Sequence, residues 1–344
     1  MSTRVLLDST AIPRDRGGVG RYIDGLLEAL SDEHAGVAVI AHPVDAAAFA
    51  ARGIEVIPAP WWIDRAPLRL VWEQMVLPGV VRRGRFDVLH SPHYTFPLRG
   101  RFGRVVTIHD LSFEHGSAHM ALKDRLVFRR VVPRAARAAR RVLTVSERTR
   151  ADLIRLYGLP EEKVVVTPNG VDPAFTPGNN LMLGTYVLAV GAVQPRKNQL
   201  RALAAAEEAM LPLVVAGPVK DEALGATLRE RGADLRGYVS QEELADLYHG
   251  AACLVQASRF EGFGLPVLEA MASGTPVVAL DEPALREVAG DAAVFVDEEH
   301  LADGVRRALA ERDQLVAAGL ERARLFTWRA TAELTLDVYR EALG

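Results

Sequence analysis

Short apolar segments alternate with longer helical patterns along almost the whole chain, and this alternation constrains the fold more than any other feature. The segments are rich in Val, Ile and Leu, are too short for buried helices, and are bounded by Gly, Pro, Asp, Asn or Ser. Apolar runs that do not alternate with polar residues mark strands buried on both faces, as in a parallel sheet clothed by helices. In the first half the segments are R-V-L-L-D, V-A-V-I-A, I-E-V-I-P, D-V-L-H, R-V-V-T-I-H-D, R-V-L-T-V-S and V-V-V-T-P-N-G. Near Pro173 to Asn180 the breaker-rich run D-P-A-F-T-P-G-N-N reads as a linker. The alternation restarts with Y-V-L-A-V-G, L-P-L-V-V-A-G, D-L-R-G-Y, C-L-V-Q-A-S, P-V-V-A-L and A-V-F-V-D. The expected architecture is α/β: two doubly wound, Rossmann-like parallel sheets facing across a cleft. Ligands of such sheets bind beyond the C-terminal strand ends, so the loops there are the candidate sites.

At 344 residues the chain exceeds what one core usually supports, which agrees with two domains. A net charge of −3 argues against general nucleic-acid binding. Cys253 is the single cysteine, which excludes an internal disulfide framework and a multi-cysteine metal site; its apolar setting reads as a buried, inert thiol. The N-terminal apolar stretch suits a first strand and is too short for a secretory signal, and no apolar run reaches the length of a membrane span. A cytoplasmic protein is expected, with contact to the inner face of a membrane as a further possibility.

The run R-F-E-G-F-G-L-P-V-L-E-A-M-A-S-G-T-P, Arg259 to Pro276, is the most informative single stretch. Gly262, Phe263, Gly264 and Leu265 lead from a loop into a helix with Pro266 in its first turn and Gly274 past its end. A helix N-terminus behind a glycine loop suits a phosphate. Glu261 and Glu269, eight positions apart, cannot hold a phosphate, so they suit the hydroxyls of an attached sugar or ribose. Three other strand-end loops carry candidate chemistry. Gly17 and Gly18 permit close backbone approach at another helix start, but the loop lacks the tight G-x-G-x-x-G of a dinucleotide site. His109, followed by Asp110, is a strand-end histidine suited to orienting a reacting sugar, or else a structural one whose tautomer Asp110 fixes. Arg196 and Lys197 place two cations beyond a strand end, where they can take the charge of a diphosphate leaving group without a metal; the alternative is a solvated basic pair opposing a helix dipole. Tyr238 and Val239 end a strand and offer a ring and backbone groups to a nucleobase, just ahead of a Ser240–Glu243 capping box.

From G-G-V-G-R-Y through T-I-H-D, V-L-T-V-S-E, T-P-N-G-V-D and Q-P-R-K-N to E-G-F-G-L-P-V-L-E-A-M-A-S-G-T-P-V-V, nearly the whole chain resembles the retaining glycosyltransferases of family 4, with the two-domain GT-B fold. The resemblance implies an N-terminal acceptor-side domain over residues 1–175 and a nucleotide-sugar-binding domain over 176–326. It also implies a final helix over 327–344 that packs back on the N-terminal domain. Glu261 would contact the donor sugar and Glu269 the ribose. Arg196 and Lys197 would bind the diphosphate, Gly18 would approach it from the other domain, and His109 would sit beside the reacting carbon. The subgroup most similar is the mannosyltransferases, so the implied reaction moves a hexose, mannose from GDP-mannose, to an acceptor hydroxyl with retention. No metal ligand set is assigned and no cofactor is required. The acceptor is left open among a glycan, a glycolipid and a small molecule. An epimerase or hydrolase of sugar nucleotides, or a non-catalytic nucleotide-sugar-binding protein, remains as an alternative on the same residues.

The stretch Lys123 to Arg141 carries many cations and one acid, Asp124. Arg130, Arg134, Arg137 and Arg141 recur at helical spacing. Two readings stand: a solvated helix covering the N-terminal sheet, or a basic face for anionic lipid. Pro133 is expected to interrupt or restart that helix.

Overall fold

The computed structural model of the protein describes residues 3–12, 16–33, 36–115, 122–178 and 184–343. The loop residues 13–15 and the end of the linker, 179–183, therefore lie outside the description. The chain forms two compact units: residues 3–111, Leu122–Gly170 and the segment from Trp328 onward make the first, and Val171–Thr327 with residues 112–115 make the second.

The first unit is built on a seven-stranded parallel sheet of β1 (Val5–Asp8), β2 (Val37–Ala41), β3 (Glu55–Pro58), β4 (Val88–Ser91), β5 (Gly103–Ile108), β6 (Arg141–Thr144) and β7 (Val164–Val166). Their order across the sheet is β3-β2-β1-β4-β5-β6-β7. Val5 registers with Val37 on one side and Val88 on the other. The second unit holds six parallel strands, β8 (Tyr186–Val190), β9 (Leu213–Ala216), β10 (Asp234–Gly237), β11 (Ala251–Gln256), β12 (Val277–Leu280) and β13 (Val294–Val296), ordered β10-β9-β8-β11-β12-β13. Successive side chains of β1, β4, β11 and β12 are all buried, so each sheet is covered on both faces, as their unbroken apolar runs require. Every strand coincides with one of the apolar segments of the sequence.

Helix Gly17–Asp32 lays Tyr22, Ile23, Leu26, Leu27 and Leu30 against the first sheet, the spacing of one helical face. The last helix, Trp328–Glu341, packs on it. A Cβ on Gly25 would stand 2.2 Å from the Trp328 ring, so only glycine admits that ring. At the other end of the last helix, the Tyr339 hydroxyl meets His90 Nδ1 at 2.7 Å. The helix Leu122–Ala138 runs through Pro133 without stopping, which corrects the expected interruption. It buries Val132, Ala135 and Ala136 and leaves Arg130 and Arg134 exposed. Arg141 is not on this helix; it opens β6 and pairs with Glu341 at 2.8 Å.

Candidate functional site

In the second unit the chain runs from β8 outward to β9 and β10, then returns to place β11 on the other side of β8. The loops after β8 and β11 thus diverge at a topological switch point, where open α/β sheets form their ligand crevice. Arg196 and Lys197 follow β8 in a single 3₁₀ turn, Pro195–Lys197, closed by the Lys197 N–H donating to the Gln194 carbonyl at 2.9 Å. Gly191, at φ 134°, lets the Lys197 side chain cross it, since a Cβ there would lie 3.2 Å from Lys197 Cε. Glu261 comes from the loop after β11. Its Oε1 accepts Lys197 Nζ at 2.5 Å and the Gln256 amide at 2.7 Å, and its Oε2 takes an Arg196 nitrogen at 3.2 Å. Arg196 also donates to the Phe260 carbonyl at 2.6 Å, and its own carbonyl accepts the Arg259 N–H at 3.1 Å, so the two loops are stitched together.

The three charged side chains are 14%, 12% and 9% exposed for Arg196, Lys197 and Glu261, so they are not a solvated surface group. Nor do the cations open a helix: helix Gln199–Glu208 begins only after Asn198, which turns the chain at φ 56°. Burial alone would raise the Glu261 carboxyl, but Lys197 and Arg196 outweigh it and bring it down to about 2. The group is a permanent anion that holds both cations beside it at the strand ends. Chemically, such a cluster is a pre-formed receptor for a polyanion whose charge grows during reaction.

Helix Leu265–Ala272 starts behind Gly264, which adopts φ 117° and so favours glycine. Gly274, at φ 72°, follows its end. Gly262 and Phe263 form the lead-in loop, with the Phe263 ring buried edge-on to Phe326 at 5.9 Å. Glu269 lies one turn into this helix, 2% exposed, and accepts the Tyr248 hydroxyl at 2.9 Å. Tyr238 and Val239 follow β10 at the edge of the sheet; the Tyr238 ring is exposed, and Ser240 with Glu243 forms the expected capping box. The structure brings Arg196, Lys197 and Glu261 into direct contact, with Glu269 on the adjoining helix.

The remaining sequence candidates belong to the first unit. Gly17 opens helix Gly17–Asp32 at φ 46°, a conformation that suits glycine; Gly17 and Gly18 are both exposed. His109 follows β5. Its Nε2 lies 3.0 Å from the Pro92 carbonyl. A carbonyl only accepts, so Nε2 carries the proton and Nδ1 presents a lone pair. Pro92 rather than Asp110 thus sets the tautomer. The Tyr22 ring stands edge-on to the imidazole at 4.8 Å. Burial pushes the imidazole down to about 4, so His109 is neutral at physiological pH. Cys253 is buried with its thiol raised to about 12, as expected of an inert cysteine.

Several contributors were not singled out from sequence. Gln256, five residues earlier at the end of β11, positions Glu261, and Tyr248 positions Glu269 from 21 residues away in the chain. Residues 112–115 join the second unit, where His115 stacks at 4.9 Å on Phe260. Asp8, Glu73 and His93 meet in the first unit. Only the β11 loop motif hinted at such partners, through the polar Gln256 and Ser258 inside an otherwise apolar strand end.

Residues 16–175 match the profile of Glycosyltransferase Family 4, and residues 182–324 that of Glycosyl transferases group 1. O-antigen chain mannosyltransferase B of Escherichia coli is 30% identical over 285 residues, covering 74% of this chain and 74% of its own. D-inositol 3-phosphate glycosyltransferase of Acidothermus cellulolyticus is 31% identical over 309 residues, covering 76% and 68%. Sucrose-phosphate synthase of Thermosynechococcus elongatus superposes in fold with a TM-score of 0.78 over 98% of both chains at 22% identity. With both halves matched in order, the chain belongs to the GT-B glycosyltransferases that join a family 4 unit to a group 1 unit.

Proposed function

We propose that this glycosyltransferase moves mannose from GDP-mannose to a hydroxyl of a glycan or glycolipid acceptor, with retention and without a metal at the leaving group. The observation that carries the reading is the part-buried Arg196–Lys197–Glu261 cluster at the β8/β11 switch point. The likeness to an O-antigen mannosyltransferase supports the choice of sugar. In the proposed step the acceptor oxygen bonds to the anomeric carbon on the face from which the diphosphate departs. The bond from that carbon to the diphosphate breaks, and its electron pair stays on the diphosphate oxygen. The acceptor proton passes to a diphosphate oxygen, so GDP leaves with the proton and the charge is balanced. Arg196, as a fork, and Lys197, as a point charge, stabilise the growing negative charge. Glu269 accepts the ribose hydroxyls and Glu261 the sugar hydroxyls, while neutral His109 accepts through Nδ1 rather than acting as a cation.

The test is a panel of nucleotide sugars scored by protection against thermal unfolding, followed by product analysis with the best donor. GDP-mannose should protect most, and the product should keep the donor's anomeric configuration. Preferential protection by a uridine sugar would replace the donor, and an inverted product would replace the mechanism.

A further inference from the structure

The first unit has a switch point of its own. β1 and β4 lie side by side, with β2 and β3 continuing on one flank and β5 to β7 on the other. Asp8 closes β1, and His93 follows the end of β4 by two residues. Glu73 reaches the same place from helix Ala66–Met75. Asp8 and Glu73 are 0% exposed and His93 is 6% exposed. One ligand atom from each lies within 4.8 Å of the other two.

The polar bonding of this group is incomplete at its centre. His93 Nε2 stands 3.2 Å from Asp8 Oδ2, yet neither of those atoms has a hydrogen-bond partner, and neither does His93 Nδ1. Leaving such buried atoms unmatched is costly. The outward-facing bonds, by contrast, are well made. Asp8 Oδ1 accepts the N–H and the hydroxyl of Thr10, at 2.9 and 2.6 Å. Glu73 accepts the Thr95 hydroxyl at 2.7 Å, the Gln74 amide at 2.8 Å and Arg69 at 3.2 Å. Arg69 offsets one carboxylate charge and leaves the second to face the His93 ring, whose Nδ1 has no partner.

We infer that Asp8, Glu73 and His93 bind one divalent transition-metal ion of the zinc class, in a site that ties β1, β4 and helix Ala66–Met75 together. One imidazole and two carboxylates form a ligand set that such an ion accepts. Two ligands at about 2.1 Å from a shared tetrahedral ion stand roughly 3.4 Å apart, close to the observed His93–Asp8 separation. The ion supplies the missing positive charge and satisfies Asp8 Oδ2 and one ring nitrogen together. Thr10, Thr95 and Gln74 then act as the outer hydrogen bonds that orient metal-bound carboxylates. The rival arrangement, a protonated His93 paired with Asp8 at 3.2 Å, gives the ring a second N–H at Nδ1, which is buried without a partner. This site is independent of the donor reading and of the leaving-group cations in the second unit.

The experiment uses tag-free full-length protein, stripped by dialysis against a chelator, given Zn²⁺ alone, desalted, and assayed for bound metal and thermal midpoint. One equivalent should be retained, the midpoint should rise by several degrees, and Asp8→Asn and His93→Ala should each lose at least tenfold in zinc affinity. His93→Cys, which still offers a zinc ligand, should keep the ion, and that variant decides the matter if Asp8→Asn does not fold. Co²⁺ in place of zinc should give visible ligand-field absorption that His93→Ala abolishes. No retained zinc, or equal retention in His93→Ala, overturns the site.

Discussion

At the residue scale the informative contact is the double ion pair on Glu261. Lys197 is held by Glu261 at 2.5 Å and by the passage over Gly191, so it has little freedom to be replaced by a neighbour. Removing one strong contact to a developing anion costs ~3–4 kcal/mol, so Lys197→Ala should lose on the order of a hundredfold or more in turnover. Turnover within a few-fold of the parent would remove Lys197 from the chemistry. The two glutamates should separate under titration with free GDP. Glu269→Ala should weaken GDP binding, whereas Glu261→Ala should leave it equal or tighter, because Arg196 and Lys197 lose their counter-ion while only sugar placement suffers. Equal weakening in both variants would sink that division of labour.

At the element scale, the last helix depends on glycine in the first. Gly→Ala inside a helix normally stabilises by roughly 0.5–1 kcal/mol, yet at Gly25 the added methyl would meet the Trp328 ring. Gly25→Ala should therefore destabilise by about 1–3 kcal/mol in urea unfolding, and less so when Trp328 is shortened to Leu. A stabilised Gly25→Ala protein would mean the helices do not pack there. The same unit holds His90 with no exposure, its nitrogens bonded to Tyr339 and Thr107. Burial pushes that imidazole down to about 3. Below the ordinary histidine value the unfolded chain takes up a proton that the folded chain refuses, so stability is complete above pH 6.5 and falls as pH drops towards 3. At pH 5 the loss is about 2 kcal/mol, to which His109 adds in the same direction. Unfolding free energies that stay level from pH 7 to pH 5 would contradict this. The strands were readable because doubly buried strands must be continuously apolar, and Gly264 and Gly274 framed their helix through backbone requirements visible in sequence. What could not be read were partners set by long-range folding. The 3₁₀ turn at Pro195–Lys197 looks like a helix start until Asn198 adopts its positive φ, and nothing local to Asp8, Glu73 or His93 announces the other two.

At the scale of the whole molecule, net charge conceals local asymmetry. The chain is at −3 overall, yet helix Leu122–Ala138 leaves Arg130 and Arg134 exposed beside Leu126 and Val127. Its buried face, Val132, Ala135 and Ala136, packs inward, so the helix covers its own unit and is not waiting to insert. Arg137 donates to the Tyr157 carbonyl at 3.0 Å and Arg141 is committed to Glu341, which takes two of the expected cations out of any lipid-facing stripe. Among the described residues no helix is long and apolar enough to cross a membrane. The contact we propose is therefore superficial and electrostatic: each exposed cation adds about 1 kcal/mol near an anionic surface, and salt screens it. In liposome flotation the protein should rise with anionic vesicles at low salt, stay behind with neutral ones, and be released as salt increases. Arg130→Gln with Arg134→Gln should abolish that recovery while the thermal midpoint is unchanged, since neither side chain is buried. Equal flotation with neutral and anionic vesicles, or undiminished flotation of the double variant, would leave the helix with a covering role alone.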